Sequence, residues 1–214
     1  MVLILGFLQT KWVAERLAEA ARNRGIPVNI YRPGRICGAA ATGACQRDDF
    51  YWGFLGACLK MGSAPSPFPN ENMIPVDYAS VSIVRLAQDA EMRNRTYHIP
   101  NNEALTGADL LEIARGCGYA IRSMPYAEWQ QEAVQRASSD PENFSSRFAG
   151  FLFNADEAPA EPEPEPVFSA PLTWSRLDEM GIACPKIGSD VVKKHIDFFV
   201  RDGLYPPPLL SVDR

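Results

Sequence analysis

Residues 7–24 place Val13, Leu17 and Ala21 at helical spacing, with Ala14 and Ala18 beside them. Gly25 and Pro27 then stop that helix, and Val28-Asn29-Ile30-Tyr31 follows as a short extended run. Arg32-Pro33-Gly34 turns the chain, because proline donates no hydrogen bond to a central strand. Helix, tight turn and short strand in that order commit this part of the chain to an α/β unit. The apolar start, Met1-Val2-Leu3-Ile4-Leu5, has no basic residues before it and is too short for a signal sequence. It is expected to be the end of a strand or a loop.

A Gly/Ala/Thr-rich loop spans about 37–47, and a helix expected from near Asp48 buries Phe50, Phe54, Leu55, Cys58 and Leu59 until Gly62 ends it. Residues 63–72 are expected as loop, Met73 to Val76 as extended, and Asp77 as the N-cap of a helix reaching about Asp89. Thr96 to Ile99 is expected as a strand. Thr106 and Asp109 form a capping box ahead of Leu110, Leu111, Ile113 and Ala114. Helix is expected from Tyr126, and Asp140-Pro141 opens another with Phe144, Phe148 and Phe151 along one face. Residues 156–166 alternate proline with acidic residues and form a stiff linker or exposed loop. Two short helices close the chain, one stopped by Gly181 and one capped by Ser189 and running to about Asp202.

Composition excludes several classes of function. A net charge of -5 with no basic run or basic helix face argues against nucleic-acid binding. No apolar stretch approaches the roughly 20 residues of a membrane span, and a cytoplasmic protein is expected. Five scattered cysteines with no C-x-x-C pair indicate neither a disulfide framework nor a zinc site. The Glu157–Glu165 carboxylates alternate with proline and cannot converge on a metal. Neither His98 nor His195 accompanies a nucleophile motif such as Gly-x-Ser-x-Gly. No Gly-x-Gly-x-x-Gly cluster joins a strand to a helix, and Gly34, Gly38 and Gly43 are irregularly spaced.

Two segments carry the chemistry: Gly6-Phe7-Leu8-Gln9-Thr10-Lys11-Trp12-Val13-Ala14-Glu15, and Tyr31-Arg32-Pro33-Gly34-Arg35-Ile36-Cys37-Gly38. They resemble the extended short-chain dehydrogenase/reductases. More narrowly, they resemble the thioester reductase domains that terminate nonribosomal peptide synthetases and the reductase domains of carboxylic acid reductases. Further segments match in order: Thr42-Gly43-Ala44-Cys45, Asp48-Asp49-Phe50, Pro75-Val76-Asp77-Tyr78, Gly181 to Pro185 and Gly203 to Pro206.

The resemblance implies an α/β fold, a partial Rossmann-like reductase without its N-terminal dinucleotide-binding half. Residues 1–100 would be a remnant of the reductase core. Residues 101–214 would be a mainly helical subdomain for substrate and carrier protein, with the Pro/Glu-rich loop at 156–166. A tyrosine and a lysine four residues apart share one helix face. In the family the lysine holds the nicotinamide ribose and lowers the tyrosine pKa, and the tyrosine donates a proton to the oxygen that gains charge. Here Lys11 holds the lysine position and Phe7 the tyrosine position, and phenylalanine has no proton to give. The family's glycine-rich loop and Ser/Thr partner would precede residue 1.

By the same resemblance Lys11, Pro33, Gly34, Arg35 and Ile36 are the cofactor-side residues. Asp48, Asp49, Phe50, Trp52, Met73, Pro75 and Asp77 are the substrate-side residues, near the phosphopantetheine channel. The parent activity would be NADPH-dependent release of a carrier-protein-bound acyl or peptidyl thioester as aldehyde or alcohol. The 214 residues alone are expected to be inactive and to bind no NADPH. The alternatives are a non-catalytic module that docks a carrier protein, or part of another extended reductase or epimerase.

Overall fold

The computed structural model describes residues 2–139 and 168–209, with the side chains of residues 2–5, 7 and 8 left aside. The helix expected with Phe144, Phe148 and Phe151 and the Pro/Glu-rich stretch at 156–166 lie outside the described residues. The chain divides into two units, each assembled from separated segments.

The first unit takes residues 2–37, 72–103 and 168–186. Its opening helix α1 (Val2–Asn23) begins five residues earlier than the periodicity predicts. Val2 to Leu5 is therefore helical rather than strand or loop: leucine and isoleucine extend a helix readily once the following turns are formed. Strand β1 (Ile30–Pro33) pairs in parallel with β5 (Thr96–Ile99), and β2 (Arg35–Ile36) pairs with β4 (Met73–Ile74). Pro33 ends β1 in register with Ile99 instead of lying in a turn. Its missing N–H costs little there, and Gly34 N donates to Ile99 O at 3.0 Å.

Helix α3 (Val76–Gln88) starts from Pro75 as N-cap, so Asp77 sits in the first turn and not at the cap. There its charge still favours the helix dipole. A short 3-10 turn (Ala90–Met92) leads into β5. Helix α6, Pro171–Glu179, opens on a proline at its first position, where the absent N–H is harmless. Ile74, Tyr78, Leu86, Tyr97, Ile99 and Leu177 form the core of this unit.

The second unit takes residues 38–71, 104–139 and 187–209. Helix α2 (Phe50–Met61) is capped by the Asp49 carboxylate, which accepts from Trp52 N, and ends at Gly62 with φ 67°. It buries Phe54, Leu55, Cys58 and Leu59 as expected, whereas Phe50 at its first position is exposed. Strand β3 (Ser63–Ser66) occupies part of the expected 63–72 loop and pairs in parallel with β6 (Arg122–Pro125). Helix α4 (Gly107–Gly116) carries the capping box between Thr106 and Asp109. Helix α5 (Tyr126–Ser139) buries Trp129, whose indole donates to Ser63 O at 3.1 Å. Burying a side chain of this size stabilises by about 1.5–3 kcal/mol. Helix α7 (Ser189–Arg201) is preceded by Gly188 as N-cap, with Ser189 already inside the helix.

Candidate functional site

Helix α1 turns its charged side toward the strands of its unit. The Arg32 guanidinium, at the end of β1, donates to both Glu15 carboxylate oxygens, with Nε at 3.2 Å from Oε2. Two turns further along, Arg22 donates to Val28 O at 3.1 Å and to Arg95 O at 3.0 Å. Glu15 and Arg22 are seven residues apart and share a face. The opposite face carries Val13 and Leu17, exposed at 48% and 67%, and Trp12, on the flank between the two faces, is exposed at 64%. Arg16 stacks its guanidinium over the Trp12 ring, 5.8 Å from the centroid.

That orientation fixes the region of Lys11. Lys11 lies one turn before Glu15 in α1, so the Glu15–Arg32 pair ties its part of the helix to the end of β1 and the following Pro33-Gly34. Phe7 lies a further turn back in the same helix. The hydrogen bond from Arg32 holds the Glu15 carboxyl below the usual range, and the same bond pushes the Arg32 guanidinium up. Arg32 also donates through Nη1 to His98 Nε2 at 3.1 Å, its register partner on β5.

Two asparagines that the spacing of residues did not single out lock the strand ends. Asn72 Nδ2 donates to Asn101 O at 2.9 Å, and Asn72 Oδ1 accepts from Asn101 N at 2.7 Å. Asn101 Nδ2 donates in turn to Met73 O at 3.0 Å. Gly34 packs against this ladder: a Cβ there would lie 2.5 Å from Asn72 O. Gly34 is thus needed for a backbone–backbone approach. Arg35 N donates to Asn72 O at 2.8 Å, and Arg35 and Ile36 pair with Met73 and Ile74. Arg35 is half-buried and Ile36 exposed. Met73 and Pro75 are buried, and Asp77 is exposed.

The residues expected on the substrate side do not all fall in one unit. Met73, Pro75 and Asp77 belong to the first, and Asp48, Asp49, Phe50 and Trp52 to the second. Asp48 is exposed before α2 and Asp49 is spent on capping. Trp52 is a core residue, stacked at 12° on the His195 imidazole with centroids 4.8 Å apart. His195 is fully buried in α7, its Nδ1 2.8 Å from Val191 O. Tyr205 donates its hydroxyl to Trp52 O and stacks on Phe199. Burial drives the Tyr205 phenol well above its ordinary value.

The glycines of the 37–47 loop belong to this packing. Gly43, at φ 73°, would place a Cβ 2.1 Å from Lys194 O, and Gly38, at φ 109°, one 2.8 Å from His195 Nε2. Both are required by the approach of the loop to α7. Among the described residues no group of three His, Cys, Asp or Glu could hold a metal. No helix there is long and apolar enough to cross a membrane.

The fold and these motifs have counterparts in known proteins. The model of a family described as Male sterility protein, an NAD-binding family, matches residues 3–83. The solved terminal R domain of the myxalamid PKS-NRPS biosynthetic pathway superposes with a TM-score of 0.83 at 32% identity, over 95% of this chain and 51% of that one. The chain belongs to the terminal reductase family of the extended short-chain dehydrogenase/reductases. Within that family it is 35% identical to a linear gramicidin synthase of Brevibacillus parabrevis over 94% of its length. It is 32% identical to isonitrile lipopeptide synthase of Streptomyces coeruleorubidus over 95%. The chain spans 4% and 14% of the length of those two synthases.

Proposed function

We propose that the chain is the C-terminal portion of an NADPH-dependent thioester reductase domain, which releases an acyl or peptidyl chain from a phosphopantetheinyl carrier protein as an aldehyde or alcohol. The Glu15–Arg32 pair carries this reading, because it sets the Lys11 turn of α1 against the end of β1. Relatives that are peptide and lipopeptide synthases support a carrier-bound thioester as substrate.

The cofactor-side residues fit the nicotinamide-ribose end of NADPH. Lys11 would hold ribose hydroxyls, and the backbone of Pro33 to Ile36 would face the carboxamide. When bound, NADPH supplies a hydride to the thioester carbonyl. The phosphate end needs a glycine-rich loop at a helix N-terminus, which the 214 residues do not contain. Residues 1–100 act in this reading as reductase core and 101–214 as the helical substrate and carrier-binding part. In this reading Asp48, Asp49, Phe50, Trp52, Met73, Pro75 and Asp77 are the substrate-side residues. For Asp49 and Trp52 that role comes on top of capping and core packing.

Phe7 bears on what the residues can do. An aromatic ring without a hydroxyl cannot protonate the oxygen that gains charge, so the proton must come from elsewhere or the rate must suffer. This favours a second reading, a carrier-docking module that has lost its acid. One experiment separates the two: joined to a dinucleotide-binding half of the same family, the chain should consume NADPH with a carrier-bound thioester. Saturable carrier binding without turnover would leave the docking module standing. Alone, the 214 residues should bind no NADPH by calorimetric titration, and a micromolar dissociation constant would overturn that expectation.

A further inference from the structure

The first unit contains a pocket of about 290 Å³ that none of the reductase residues on α1 or β1 enters. It lies between α3, the segment after β5, α6 and the Gly181–Cys184 stretch that follows α6. Buried Tyr78 and Leu177 form its floor, half-buried Trp174 and Ile182 its walls, and exposed Asn102 and Asp178 its rim. Its size is near the lower end for small-ligand sites.

The lining decides which ligand chemistry fits. Asp178 is the one formally charged residue in it. An anionic ligand would therefore meet a carboxylate and no cation. Trp174 already donates its indole N–H to Pro100 O at 3.1 Å, which fixes the ring and leaves its electron-rich faces to offer. The Tyr78 ring adds a second aromatic surface. Leu177 and Ile182 can cover an alkyl chain. Burial pushes the Cys184 thiol up to about 12, so that wall is neutral at ordinary pH.

We infer that this pocket binds the ammonium group of a small alkyl amine, with the nitrogen held between the Asp178 carboxylate and the Trp174 ring and the chain against Leu177 and Ile182. Carboxylate and aromatic faces attract a cation together, and a neutral alcohol of the same length gains only the apolar part. The inference is independent of the reductase reading, since it uses no cofactor and no thioester. The same ammonium chemistry is offered by a free amine and by a lysine side chain, and the two are separable by titration.

The test titrates the 214-residue chain with n-pentylammonium, with 1-pentanol and with N-acetyl-lysine methylamide. The readout is the indole N–H resonance of Trp174, assigned by its disappearance in Trp174→Phe. Pentylammonium should shift that resonance saturably and bind about tenfold tighter than pentanol. Added salt should weaken the amine and leave the alcohol unchanged. Asp178→Asn should bring the amine down to the level of the alcohol, and Asp178→Ser serves if the amide variant misfolds. Tighter binding of pentylammonium than of the lysine derivative assigns the site to free amines, and the reverse order assigns it to a protein side chain. Equal affinity for amine and alcohol in the unmodified chain, or an amine affinity indifferent to Asp178, overturns the inference.

Discussion

Arg32 donates to the Glu15 carboxylate across the gap between β1 and α1, and this pair marks the side of the helix that faces the strands. The apolar side bearing Val13 and Leu17 is exposed. The pair and the Arg22 bonds to Val28 O and Arg95 O hold the charged side against the strands instead.

The pH dependence of this arrangement follows from Glu15. Its folded pKa is depressed by the hydrogen bond from Arg32. Its stabilising contribution is therefore present above the unfolded value of about 4.3 and is lost as pH falls through the folded value. Hydrogen exchange of the amides from Lys11 to Arg22 should accelerate in Arg32→Ala at pH 7. The same variant should differ little from the unmodified chain once Glu15 is protonated. An acceleration of equal size at both pH values would show that Arg32 acts through packing and not through charge.

Arg176 on α6 gathers three acids: Asp89 at 2.5 Å, Glu179 at 2.7 Å and Glu91 at 3.0 Å. The bond from Arg176 lowers the Asp89 carboxyl below its usual value, and the carboxylates raise the guanidinium. Arg176→Met should lower the denaturant midpoint near neutral pH. The deficit should shrink as pH falls through the folded pKa of Asp89, since its share of the stability exists only above that point. A midpoint unchanged at pH 7 would place the network among surface pairs of no consequence.

Gly43 offers a sharper mutational contrast. Gly43→Ala meets both a left-handed backbone and Lys194 O at 2.1 Å, and should cost about 2–4 kcal/mol. Gly181→Ala has a similar φ of 71° but nothing within 4 Å, and should cost about 1–2 kcal/mol from the backbone alone. Urea unfolding of the two variants measures the difference. Equal losses would mean that the 37–47 loop is not pressed against α7.

These cases show what the sequence could and could not reveal. Thr96–Ile99 and the Thr106–Asp109 box were legible because their signals are local, a β-rich run and a cap three residues from its partner. The apolar spacing of α1 gave the helix but not the direction it faces, since the contacts on its inward side reach residues such as Arg32, 17 residues beyond Glu15. Strands β3 and β6 were missed because each is four residues long and contains a proline, and their register Ser63↔Arg122 joins distant segments. The role of Gly43 was hidden for the same reason, its neighbour being Lys194 in the last helix. The family resemblance pointed to Lys11 and the 33–36 stretch as candidates, yet gave no hint of the Asn72–Asn101 ladder that Gly34 packs on.

Positions 7 and 11 lie one turn apart in α1, and their proposed roles are tested in the chain joined to a dinucleotide-binding half of its family. Cofactor binding should be restored through Lys11 and the 33–36 backbone, and turnover should remain slow because Phe7 has no proton to donate. Loss of a general acid typically lowers the rate by a factor of about 10² to 10⁴. Phe7→Tyr should recover a comparable factor in kcat, and the recovered rate should fall at high pH as the new phenol loses its proton. Adding Lys11→Ala to Phe7→Tyr should remove the gain, since on the proposed reading the lysine would lower the phenol pKa and hold the ribose. The two changes must be measured as a cycle, because residues that act as one unit are not additive. If the joined protein with Phe7 reduces a carrier-bound thioester as fast as Phe7→Tyr does, the proton comes from another group or from water, and position 7 is not the acid position in this chain.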